Sequence, residues 1–146
     1  MLILSPSRLI TIAVILILSI PAAVIADDPA SSSQNFFGRW RWLGGVTPEK
    51  EIHPLPNETY TLSFKEEGRF SMKLETNVAN GSYEVKERLL KINQPLVMTM
   101  AAWLPNSPAP EVVSLIENAS NFFFKDGLLY IEAIADGGTL RFEKMD

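Results

Sequence analysis

The sequence predicts an α+β domain that is mainly antiparallel β: a strongly curved meander sheet with one packed helix. Two observations lead to this fold class. Between residues 69 and 100, apolar and polar side chains alternate in several short runs, which is the period of a strand with one buried face. After residue 107, one stretch has helical periodicity, and short alternating runs separated by turn residues complete the chain.

Residues 1–26 have the features of a signal peptide. Arg8 provides a positive charge, residues 9–20 form an apolar core, and Val24-Ile25-Ala26 fits the small-x-small rule for cleavage. An uncleaved membrane anchor is the alternative, because the apolar stretch approaches the length of a spanning helix. Either form predicts an exported protein that is secreted or held at the cell surface or envelope.

The rest of the chain divides into a polar segment, 27–36, expected to be a flexible linker, and one folded domain, 37–146. Since Arg8 is the one charged residue among the first 26, cleavage would change the formal net charge from −4 to −5. Nucleic acid and anionic lipid both need a basic stripe, so neither is expected as a partner. The absence of cysteine excludes a lipoprotein, cysteine-based metal sites and thiol nucleophiles.

The first strand is predicted over residues 38–43, where Trp40 and Trp42 alternate with two arginines. We interpret both tryptophans as core residues, with an aromatic binding wall as the alternative. Residues 44–58 contain three prolines and are expected to form a long connection. Residues 59–65 then predict a strand with its tyrosine, leucine and phenylalanine inward, followed by a Glu-Glu-Gly turn.

The pairing of the central strands depends on one predicted turn. Phe70, Met72 and Leu74 alternate with polar residues, and apolar residues alternate again through residues 83–92. Between these runs lies Asn80-Gly81, a dipeptide that adopts positive φ at low cost. It therefore predicts a type I′ hairpin turn.

Residues 96–103, LVMTMAAW, are almost entirely apolar and are expected to form either a fully buried strand or a short helix. We interpret Met98 and Met100 as core residues, the alternative being part of an adaptable apolar groove, and Trp103 ends the same segment.

An amphipathic helix lying on the sheet is predicted over residues 108–119, with Ser107 as its cap and Glu111 in its first turn. Three strands separated by Asp-Gly and Asp-Gly-Gly turns are expected to follow, over residues 120–125, 128–135 and 139–143.

Few polar residues of the sequence indicate a catalytic or modification site. His53, the only histidine, lies in a predicted connection with no motif around it, and we interpret it as a surface residue rather than a general base. Asn-x-Ser/Thr sequons begin at Asn57, Asn80 and Asn118 and are candidate glycosylation sites if the source organism glycosylates exported proteins.

The order of several segments resembles the META domain, the family of HslJ-like envelope proteins. YTLSF followed by EEGRF, ETNVANGSYEV, LLKI followed by VMTMAAW, and the closing EVVSLIENASNFFFKDGLLYI and GTLRFEKM carry this resemblance. Its most specific residues are Asn77, Gly81 and Tyr83 together with Thr99-Met100-Ala101. Thr76 and Ala102 stand where the family typically has cysteines, so a redox role of that pair is absent here.

The resemblance implies a small barrel-like sheet with a packed helix in an exported or envelope-attached protein, and it supplies no catalytic residues. We therefore expect a non-enzymatic domain, without metal or cofactor, that binds a protein partner or a small apolar ligand. A stress-related role is associated with the family. The candidate binding residues are Trp40, Trp42, Met98, Met100 and Trp103.

We expect a monomer that contacts a membrane only through its N-terminal segment, and only if that segment is uncleaved. Two alternatives stay open. One is a chaperone-like stability factor of the envelope, and the other is a hydrolase with an unrecognised site near His53.

Overall fold

A computed structural model describes residues 36–146 of the chain; the signal peptide and all but the last residue of the linker predicted from the sequence lie outside this range. The described residues form nine strands, one α-helix, α1 (Ala109–Glu117), and a 3₁₀ turn (Ile134–Asp136). The strands are β1 (Gly38–Val46), β2 (Glu51–Ile52), β3 (Thr61–Phe64), β4 (Arg69–Leu74), β5 (Asn77–Lys86), β6 (Leu89–Met98), β7 (Ala119–Lys125), β8 (Leu128–Ala133) and β9 (Thr139–Lys144).

The strands form one antiparallel sheet that closes on itself. Its order is β2-β1-β3-β4-β5-β6-β7-β8-β9, and β1 also pairs with β9. Eight strands therefore complete a barrel, and β2 is a short addition to the edge of β1. Closure removes exposed strand edges and places every second side chain in a common core. The predicted fold class is confirmed.

The core consists of the alternating side chains that the sequence pattern indicated. Phe70, Met72 and Leu74 are buried, and so are the inward residues of β3 and β8. Phe36 was expected to be the last residue of the linker, but it is completely buried. Its ring lies 4.0 Å from that of Phe64, measured between centroids, because the chain enters the barrel before β1 begins.

The predicted turn at Asn80-Gly81 is wrong. The β4–β5 hairpin turns at Glu75-Thr76, with Glu75 at φ 57°, and β5 continues through Gly81 with an irregularity in its pairing to β6. A Cβ atom at Gly81 would lie 2.7 Å from both Phe70 Cε1 and Leu96 Cδ2. The glycine is needed for close packing inside the sheet, not for a turn.

Residues 96–103 form neither a buried strand nor a helix. Strand β6 continues through a cis Gln94–Pro95 bond to Met98, and the chain beyond it has no regular structure until α1. The expected long connection over residues 44–58 also needs correction, since β1 extends to Val46 and β2 pairs with it.

Helix α1 packs its buried face, Ala109, Val112, Val113 and Ile116, toward β6, β8 and β9. Pro108 is the N-cap, one residue after the predicted cap, and the backbone N–H of Ala109 donates to Ser107 Oγ at 3.1 Å. Within residues 36–146, no helix is both long and apolar enough to cross a membrane.

Candidate binding surface

Two of the five candidate binding residues belong to the core. Trp40 and Trp42 are each 2% exposed, and the Trp42 ring packs edge-on against Tyr60. Trp40 Nε1 donates to the Phe36 carbonyl at 2.8 Å. Neither indole offers a face to a ligand in this structure, so the first strand provides no aromatic binding wall.

The other three candidates lie on a segment that is partly exposed, which we call the outer segment (residues 96–104). Met98 and Trp103 pack against the core with one side. Met100, by contrast, is 89% exposed and Val97 is 72% exposed. The interpretation of Met100 as a core residue is wrong, because the chain passes along the rim of the barrel instead of through it.

The outer segment is continuous with an exposed apolar residue of β5. Val97 faces Asn80 in the β5–β6 pairing, and the N–H of Thr99 donates to the carbonyl of Val78 at 3.0 Å. Val78 and Val97 therefore occupy diagonal positions on the outer face of neighbouring strands, a spacing at which side chains can share one surface. Both side chains are exposed.

A buried amide holds the outer segment in place. Asn77 is completely buried, and its Oδ1 accepts hydrogen bonds from Thr99 Oγ1 at 2.8 Å and from the N–H of Ala101 at 2.9 Å. Its Nδ2 donates to the carbonyl of Ala101, also at 2.9 Å. Asn77 thus pairs with both polar groups of one backbone residue, as a neighbouring strand would do.

A buried carboxylate fixes the C-terminal end of the segment. Glu75 is only 5% exposed, and it accepts hydrogen bonds from Tyr60 Oη at 2.9 Å, the N–H of Leu104 at 3.0 Å and Ser107 Oγ. Burial raises the pKa of Glu75, but these hydrogen bonds outweigh it and hold the pKa below its ordinary value. Burial, together with the bond to Glu75, raises the pKa of Tyr60 to about 12.

The residues most specific to the sequence resemblance have structural roles. Asn77 contacts Thr99 and Ala101, Gly81 admits the Phe70 ring, and the hydroxyl of Tyr83 donates to the carbonyl of Lys65. The resemblance to the META domain marked this set, but sequence reasoning missed Glu75, which has the pattern of an ordinary polar residue at the end of a strand.

The remaining candidates lie apart from the outer segment network. His53 is exposed, with Nε2 3.4 Å from a carboxylate oxygen of Glu51. Asn57 is exposed in a loop, Asn80 is exposed on β5, and Asn118 ends α1 with its Nδ2 donating to Ser114 at 2.8 Å. Among the described residues, no cluster of three or more His, Cys, Asp or Glu could hold a metal ion.

The fold and this network define a small closed antiparallel barrel with one helix and an anchored outer segment. The META domain family model matches residues 38–146, and the chain belongs to the META domain family. None of the curated proteins matches it.

Two solved structures share the fold. A protein from Burkholderia xenovorans, determined by NMR, aligns with a TM-score of 0.63 at 18% identity, over 90% of this chain and 99% of its own. A DUF4847 family protein from Bacteroides vulgatus ATCC 8482 aligns with a TM-score of 0.55 at 15% identity, over 78% of this chain and 99% of its own. At these identities the likeness concerns the fold alone.

Proposed function

We propose that this protein is an exported, non-enzymatic META domain that binds a protein partner at the cell envelope or surface through the outer segment. The observation that carries the proposal is the exposure of Met100 and Val97 on a segment that two buried polar residues hold, Asn77 at its middle and Glu75 at Leu104. The signal-peptide pattern of residues 1–26 supports export.

Anchoring gives this surface a physical advantage in binding. An apolar segment that moves freely must lose conformational entropy when a partner binds, whereas one held by Asn77 and Glu75 has already lost most of it. Methionine adds a flexible, polarizable side chain that adapts to different apolar partners. Exposed apolar side chains grouped on one face are typical of interaction surfaces.

Site-specific photo-crosslinking in the native envelope tests the proposal. A photoreactive residue at Met100 is expected to yield one discrete cross-linked species. A matched control at Ile134, an exposed apolar residue of the 3₁₀ turn, is expected to yield none. A Val97→Asp change should abolish the Met100 product by placing a charge in an apolar contact. Equal products at both positions, or no product at Met100, would refute the assignment.

The exposed methionine also favours the chaperone-like alternative, in which the same surface binds unfolded clients weakly and broadly. The two functions differ in the pattern of cross-linking. A chaperone-like protein would give a smear of many client products that increases after heat treatment, and it would suppress aggregation of a heated client protein at stoichiometric amounts.

A further inference from the structure

A groove of about 660 Å³ lies on the barrel where the ends of β1, β7, β8 and β9 meet. Small apolar residues form part of its wall. The polar side chains that line it are Thr47, Ser120, Asn121, Glu132, Asp136 and Thr139. No lysine or arginine of the described chain lines it, and its size is within the range of small-molecule sites.

The strand register explains why these side chains come together. Asn121 pairs with Glu132, Glu132 with Thr139, and Thr139 with Val46, so four side chains form a row across four strands. Ser120 lies at an irregularity in the pairing of β7 with β8. Such irregularities redirect a side chain, here into the groove.

Hydrogen bonds within the row orient its polar groups. The Nδ2 of Asn121 donates to Glu132 Oε2, and Ser120 Oγ donates to Asn121 Oδ1 at 2.6 Å. A carboxylate has about four acceptor sites, and the bond from Asn121 uses one of them. Glu132 is therefore a fixed acceptor with capacity for further donors.

A second row lies two residues further along the same strands. Phe123, Tyr130 and Arg141 are paired in it, and the first two rings stack in parallel with centroids 4.8 Å apart. Tyr130 and Arg141 line a smaller hollow of about 170 Å³ that shares Val46 and Thr139 with the groove. The two depressions are therefore adjacent, with an aromatic ring beside the polar row.

This combination discriminates between classes of ligand. An anion would meet the carboxylates of Glu132 and Asp136 in the groove. The hollow holds one group of each sign, Glu51 and Arg141, so neither an anion nor a cation finds only complementary charge across both depressions. An apolar ligand would leave the polar wall without hydrogen-bond partners. A neutral polyhydroxylated ligand satisfies all of these groups, since each hydroxyl both donates and accepts and a sugar ring has an apolar face that packs on Tyr130.

We propose that this groove binds a neutral saccharide, with Glu132 and Asn121 bonding its hydroxyl groups and Tyr130 packing against a sugar ring. The site is distinct from the outer segment. None of residues 96–104 lines the groove or the hollow.

Chemical-shift mapping on the isotope-labelled protein tests the site. The probes are maltotriose, cellotriose, chitotriose and mannotriose, with glucose as a monosaccharide and spermidine as a cationic probe. At least one trisaccharide, at millimolar concentration, is expected to shift the amide signals of Ser120, Glu132 and Thr139. Stronger binding of the trisaccharide than of glucose would indicate a polymer segment as the source, and equal binding a free sugar.

Variants then test the assigned contacts. Glu132→Ala and Tyr130→Ala are each expected to weaken binding about tenfold or more, the effect of losing a strong hydrogen bond or an aromatic contact. Glu84→Ala, at an exposed residue of β5, should leave binding unchanged. The proposal is overturned if none of the sugars shifts these amides in the wild-type protein, or if spermidine alone does so.

Discussion

Replacement of Asn77 by alanine should be among the most destabilising polar substitutions in this domain. The side chain is completely buried and makes three hydrogen bonds, to Thr99 Oγ1 and to both backbone polar groups of Ala101. At about 1 kcal/mol net for each hydrogen bond, Asn77→Ala should lower the free energy of unfolding by about 3 kcal/mol. For a domain of this size, that loss corresponds to a decrease in melting temperature of roughly 10 °C.

Urea unfolding followed by tryptophan fluorescence measures this loss directly. Asn80→Ala is the matched control, because Asn80 is an exposed asparagine on the same strand and should change stability by less than about 0.5 kcal/mol. Amide hydrogen exchange of Ala101 should also become faster in Asn77→Ala than in the control. A stability loss no larger than that of Asn80→Ala would refute the anchoring role of Asn77 and, with it, the pre-organised outer segment.

Two further predictions concern pH and the start of the domain. The folded-state pKa of Glu75 lies below its ordinary value of 4.5, so its stabilising effect is fully present above that pH and is lost as pH falls through the folded pKa. Glu75→Gln should therefore be less stable than wild type by about 2 kcal/mol at neutral pH, and the difference should shrink in acid. Urea unfolding at several pH values measures it, and parallel pH profiles would contradict the prediction. Phe36→Ala should cost about 3–5 kcal/mol in thermal unfolding because its ring is fully buried, whereas Phe37→Ala, at a partly exposed ring, should cost less. A loss in Phe36→Ala no larger than that of an exposed-site substitution would show that the packed domain begins after Phe36.

Sequence reasoning succeeded where a strand faces the core on one side only. Alternation in β3, β4 and β8 identified the buried side chains, because a shift of one residue would turn all of them toward water. It failed at Asn80-Gly81, whose local preference for a turn was overridden by the contact between Gly81 and the ring of Phe70. That contact joins residues on different strands, and no local pattern reveals it.

The candidate binding surfaces show the same difference between what a sequence pattern indicates and what only the structure reveals. Hydrophobicity alone could not distinguish Met100, exposed at the rim, from Met72, buried in the barrel. The family resemblance did mark Asn77 and Thr99 as members of one set, but only the structure showed that they are hydrogen-bonded to each other. The polar groove had no signature at all, since its residues combine the end of β1 with three strands, β7 to β9, that follow much later in the chain.

The amino-acid sequence by itself determined the class of fold and the alternation that builds the barrel, because these depend on the period of a strand and on interactions between near neighbours. It also indicated the family, through the order of its matching segments. Barrel closure through β1 and β9, the turn at Glu75-Thr76 and the exposure of the outer segment were decided only by the tertiary structure. Each of these depends on contacts between distant parts of the chain, whose packing energy exceeds the small local preferences that a sequence pattern displays.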